Sequence, residues 1–103
     1  MTADQMTAEQ KEKAIEQITK HLTRLFGYAP APDEIKITYY GPNKDNIIHS
    51  SGIKPPAELD FFIGERSYKL AFDRTDHFTL KIDYSSTTKV IEDTNINTPK
   101  NAI

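Results

Sequence analysis

The chain reads as an α+β domain: one N-terminal helix packed on one face of an antiparallel meander sheet of four to five strands, followed by a flexible C-terminal tail. Three observations predict this. Apolar residues recur at helical spacing in one long segment near the N-terminus. They recur at every second position in three consecutive later segments. Turn-forming residues separate those segments. With 103 residues the chain has enough material for one core and too little for two. A single domain over residues 1–85 and a polar tail over 86–103 is therefore the expected division.

The helix is expected over residues 7–26. Thr7 followed by Gln10 fits a capping box, in which two side chains satisfy amide donors left open at the helix start. Ala14, Ile15, Ile18, Leu22, Leu25 and Phe26 fall on one stripe, while Glu9, Lys13, Glu16, Gln17, Lys20 and Arg24 lie mainly outside it. Gly27 stands where a left-handed terminating residue belongs, and Pro30 and Pro32 prevent continuation. His21, next to Leu22, reads as a histidine at the stripe edge.

A first strand is expected near residues 34–40, with Ile35, Ile37 and Tyr39 inward and Lys36, Thr38 and Tyr40 outward. The run from Gly41 to Asn46 is dense in turn formers and closes it. Residues 47–56 are ambiguous: Ile47, Ile48 and His49 allow a short return strand, but Ser50, Ser51, Gly52, Pro55 and Pro56 favour a wandering loop. The meander is clearer. Leu59, Phe61 and Ile63, then Tyr68, Leu70 and Phe72, then Phe78, Leu80, Ile82 and Tyr84 supply three apolar faces. A II′ turn at Gly64-Glu65 sets Phe61 opposite Tyr68, Leu59 opposite Leu70, and Asp60 opposite Lys69, whereas a turn centred on Glu65-Arg66 shifts the pairing by two residues and keeps the same face inward. A five-residue loop over 73–77 then sets Phe72 opposite Phe78. Beyond Ser85 the chain is rich in Asn, Thr and Ser and offers little apolar surface to offset the entropy of ordering it. Within it, Val90-Ile91 suits a short edge strand.

Composition narrows the function classes. Thirteen Lys and Arg against fifteen Asp and Glu leave a net charge of −2, so the surplus of cations that neutralises phosphates is missing and nucleic acid is disfavoured as a partner. Weak single-strand binding by sheet aromatics remains a second alternative, one that affinity falling steeply with salt would reveal. The absence of cysteine excludes disulfides, thiolate nucleophiles and cysteine-ligated metal, and favours a reducing compartment. No apolar run approaches the roughly twenty residues that span a bilayer, and the first residues lack the charged and apolar regions of a secretory signal. The cytoplasm is the expected location, with no membrane. No phosphate-cradling glycine loop or HExxH pattern occurs, and no cofactor or catalytic residue is implied. The acidic residues are interspersed with Lys36, Arg66, Lys69, Arg74 and Lys81, the mixed surface of an ordinary soluble domain.

Two groups of residues carry functional expectations. Tyr40 and Phe62 point outward in this reading, and with Lys69 and Lys81 they make a partner-binding face, because aromatics concentrate binding energy in few positions. The corresponding function is a small non-enzymatic protein-interaction module, such as a regulator, inhibitor or immunity-type protein. A sheet edge beside the middle loop adds strand addition or homodimerisation as a second mode. The alternative is a small-ligand, metal-binding or catalytic domain built on Asp73, Asp76 and His77, the one place where two carboxylates and a histidine lie close in sequence. It requires His49 or Asp45 to supply a further group, and hence the middle loop to fold over. The helix-plus-meander outline itself is shared by too many unrelated proteins to carry function across.

Overall fold

Thr7 caps the helix as its spacing implies. Its hydroxyl accepts from the Gln10 amide at 3.1 Å, and the Gln10 side chain accepts from the Thr7 amide at 2.9 Å. Helix α1 runs over Ala8–Phe26 and ends at Gly27, whose φ of 80° needs no Cβ and whose amide bonds the Thr23 carbonyl. The computed structural model describes residues 1–75, 77–83 and 89–93, the last five as backbone. Asp76, Tyr84 and the tail beyond residue 93 lie outside the described residues.

Five antiparallel strands follow in consecutive order: β1 (Ile35–Pro42), β2 (Ala57–Ile63), β3 (Arg66–Phe72), β4 (Phe78–Ile82) and β5 (Lys89–Asp93). The expected hairpin registers hold. Phe61 pairs with Tyr68, Leu59 with Leu70, Asp60 with Lys69, and Phe72 with Phe78. Gly64 has a positive φ of 62° and Glu65 does not, the signature of a II′ turn. Val90 and Ile91 do lie in an edge strand, β5, paired to β4. Among the described residues no helix is long and apolar enough to cross a membrane.

The core lies between α1 and one face of the sheet. Ala14, Ile18, Leu22 and Leu25 meet Leu59, Phe61, Leu70, Phe72, Phe78, Leu80 and Ile82, all buried. His21 sits inside this core rather than at its edge, its ring 4.3 Å from that of Phe78. Phe26, at the end of the expected stripe, is substantially exposed.

Strand β1 departs from simple alternation. Ile37 pairs with Phe61, but Tyr39 pairs with Asp60 and Tyr40 with Leu59, so Thr38 is an extra residue in a β-bulge. Its hydroxyl donates to the Asp60 carbonyl at 3.1 Å. One added residue exchanges the two faces for everything after it. Tyr40 therefore turns toward the core, 6.3 Å from the Phe72 ring, and Tyr39 faces outward; both are the reverse of the alternation expected from the sequence.

The ambiguous segment is a loop, and it lies over the sheet face opposite α1. Asn43 ties its two arms together: the side-chain amide donates to the Ile47 and Pro55 carbonyls at 2.8 and 3.0 Å, and its oxygen accepts from the Ile47 amide at 3.1 Å. Ile47, His49 and Pro55 are buried beneath or within this loop, as are Glu58, Ala71 and Thr79 on the sheet. The molecule thus has a helix on one side of its sheet and a 14-residue loop, residues 43–56, on the other.

Candidate functional site

The four residues expected on a partner-binding face do not share one exposed surface. Tyr40 is removed from it by the Thr38 bulge. Lys69 is on the outer face but buried, drawn into a cluster of charges. Phe62 and Lys81 keep the outward direction and are partly exposed, Phe62 beside Lys36 and Ser67, and Lys81 paired with Lys69 on β3.

The charge cluster joins loop to sheet. Glu58 and Asp60 project from β2, Lys69 from β3, and Lys44 and Asp45 descend from the loop. Lys44 Nζ donates to Glu58 Oε2 at 2.9 Å and to Asp60 Oδ2 at 2.6 Å. Lys69 Nζ donates to Glu58 Oε2 at 3.2 Å, to Asp60 Oδ1 at 3.1 Å, and to the Asp45 carboxylate. The Lys44 ammonium also stands 3.7 Å over the Tyr39 ring, the outward tyrosine. Burial alone depresses Lys69, but the Asp45, Asp60 and Glu58 carboxylates outweigh it and hold the ammonium well above its ordinary range. The bond from Lys69 holds Asp45 below the usual carboxylate range against its own partial burial. With acid and ammonium groups saturating one another, this cluster acts as a fastener.

A second constellation forms where the loop meets the β3–β4 turn. His49 is buried, and its Nδ1 lies 2.8 Å from the Thr79 hydroxyl on β4. Its Nε2 is 3.8 Å from Asp73 Oδ2. The other carboxylate oxygen, Asp73 Oδ1, accepts from the Thr75 amide at 2.9 Å, the Thr75 hydroxyl at 2.7 Å and the His77 amide at 3.3 Å. Burial pushes the Asp73 carboxyl up, and these donors more than reverse it, leaving the group below its ordinary value. The His77 ring stacks on His49 with centroids 3.7 Å apart and planes 19° from parallel. Of the residues named for the alternative reading, Asp73, His77 and His49 are therefore brought together, Asp45 belongs to the fastener, and Asp76 lies outside the described residues.

Two further surface features lie outside the sites expected from the sequence. Ile48 and Ile53 are 57% and 58% exposed, on either side of a tight turn closed by the His49 amide to the Ile53 carbonyl at 2.9 Å and the Gly52 amide to the His49 carbonyl at 2.9 Å. Isolated apolar residues in a Ser- and Pro-rich stretch carry no periodicity to mark them. At the far end of the domain, Leu22, Phe26, Tyr28, Ile63, Tyr68 and Ile82 line a half-open cleft of about 540 Å³. No protein-family model, no curated protein and no solved structure matches the chain.

Proposed function

We propose that the protein is a small non-enzymatic interaction module that binds another protein through the loop over residues 43–56. The observation that carries this reading is the exposure of Ile48 and Ile53 at 57% and 58% on a loop fastened to the sheet by buried charges. A loop of this length without regular secondary structure tends to be functional, and an anchored one binds with little ordering entropy to lose. Burying an isoleucine side chain contributes about 1.5–3 kcal/mol, so two neighbouring ones suit the centre of an interface. Phe62 and Lys81, on the same side of the sheet, belong to its surroundings. A cysteine-free chain fits a partner and a location in the cytoplasm. Strand addition at the β1 edge is the lesser mode, because the chain's own Met1 and Thr2 already pair with Tyr39 and Tyr40 there.

The test is affinity capture from a lysate of the source cells with wild type and with Ile48→Asp plus Ile53→Asp. Both side chains stand largely in solvent, so the double variant should melt like wild type and lose the specifically retained protein. A double variant that retains the same protein, or a wild type that retains none above the blank, overturns the reading.

A further inference from the structure

We propose that His49, Asp73 and His77 form a binding site for one divalent transition-metal ion of the zinc class, at the corner between the loop over residues 43–56 and the β3–β4 turn. Among the described residues two groups of metal-ligand side chains bring their atoms within 4.8 Å of one another: this one, and Asp45 with Glu58 and Asp60. The acidic group already holds the ammonium groups of Lys44 and Lys69, which fill the place of a cation. The other offers two imidazoles and one carboxylate. That is a donor set suited to zinc and its first-row neighbours rather than to magnesium or calcium, which take oxygen ligands.

The supporting contacts orient these donors as an outer shell does in a metal site. The bond between His49 Nδ1 and Thr79 fixes the ring and turns Nε2 toward Asp73. Three donors occupy Asp73 Oδ1 and leave Oδ2 as the oxygen nearest that nitrogen. Their separation of 3.8 Å is too long for a hydrogen bond. Two ligands on a tetrahedral zinc, each at about 2.0–2.2 Å from the ion, stand roughly 3.4 Å apart. A closure of a few tenths of an ångström therefore accommodates the ion.

His77 has to move further. A metal lies in the plane of each imidazole that binds it, and rings stacked 19° from parallel cannot share one. Binding an ion therefore requires the stack to open. His77, half-buried at the end of the turn, rotates about its Cβ–Cγ bond to bring a nitrogen onto the ion. Three protein ligands then leave a fourth position for water or an external group. This site does not depend on whether Ile48 and Ile53 engage a partner.

The experiment uses the full chain, untagged and stripped of metal, titrated with zinc by calorimetry while the imidazole nitrogens are followed by NMR. One zinc per chain should bind, shifting the ring signals of His49 and His77 to saturation and leaving those of His21, in the helix core, in place. Asp73→Asn, which keeps the oxygen that organises the turn, and His77→Gln should each weaken binding tenfold or more, and magnesium should give no saturable response. If a variant unfolds, the wild-type ring shifts decide alone. Absence of saturable zinc binding, zinc that shifts His21 instead, or unchanged affinity in two folded variants overturns the site.

Discussion

Tyr39 and Tyr40 are adjacent in sequence and opposite in role, and a single inserted residue, Thr38, decides which is which. Tyr40 packs against Phe72 and the core, so Tyr40→Ala should cost roughly 2–3 kcal/mol, somewhat less than a fully buried aromatic truncation. Tyr39→Ala loses a hydroxyl bond to the Pro42 carbonyl and a ring under Lys44 at a partly exposed position, and should cost about 1 kcal/mol. Urea denaturation of the two variants checks the order; a larger loss from Tyr39→Ala would place the bulge elsewhere. Gly41 belongs to the same local design. A Cβ there would stand 2.9 Å from the Tyr39 hydroxyl and 3.0 Å from the Met1 nitrogen, so a side chain at that position would crowd the N-terminal residue that pairs along β1.

At the scale of elements, the helix and the meander were legible because each rests on local periodicity. The cap at Thr7, the stop at Gly27 and the register of Phe72 with Phe78 follow from spacing and turn chemistry, while at the first hairpin spacing leaves two registers with the same face inward and the Gly64-Glu65 turn selects the pairing of Leu59 with Leu70. The bulge was not legible, since Ile35 to Tyr40 carries no glycine or proline to mark an extra residue. The loop's path was not legible either. It is fixed by contacts such as His49 to Thr79 and Lys44 to Glu58, which join distant parts of the chain and leave no periodic trace. The candidate metal corner was half visible: Asp73 and His77 sit in one turn, but His49 reaches them only through the loop. The loop's fastening also sets its pH response. Asp45 and Asp73 titrate below their ordinary value, so each contributes stability that is present above about pH 4 and lost as pH falls through its folded-state value. Lys44 and Lys69 titrate above theirs, so their contribution holds to about pH 10 and is lost only at higher pH. The denaturation midpoint should therefore fall as pH drops below about 4 through the loss of these two carboxylates, with a modest slope because Asp45 is nearly half exposed. Asp45→Asn should reduce the acid-side slope, and an unchanged slope would remove that carboxylate from the linkage.

Across the whole molecule, one sheet supports two layers held by different forces: hydrophobic burial under α1, and ion pairs with hydrogen bonds under the loop. Lys69→Met separates them. It leaves the two buried carboxylates of Glu58 and Asp60 sharing the Lys44 ammonium, and an uncompensated buried charge costs about 3–5 kcal/mol. The molecule has a cheaper response than unfolding. Lifting the loop returns both carboxylates to water and leaves the apolar face of the sheet sealed by the helix. Hydrogen exchange on Lys69→Met should therefore show lost protection at the Ile47 and His49 amides, whose bonds lie within the loop, and near-native protection at Leu22 and Leu70. Adding Glu58→Gln and Asp60→Asn to Lys69→Met removes the stranded charge and should restore part of the loop protection, since neutral groups of the same shape are far less costly to bury. If protection falls uniformly in helix, sheet and loop, the two layers form one cooperative unit, and the loop is then part of the fold's foundation rather than a separable recognition element.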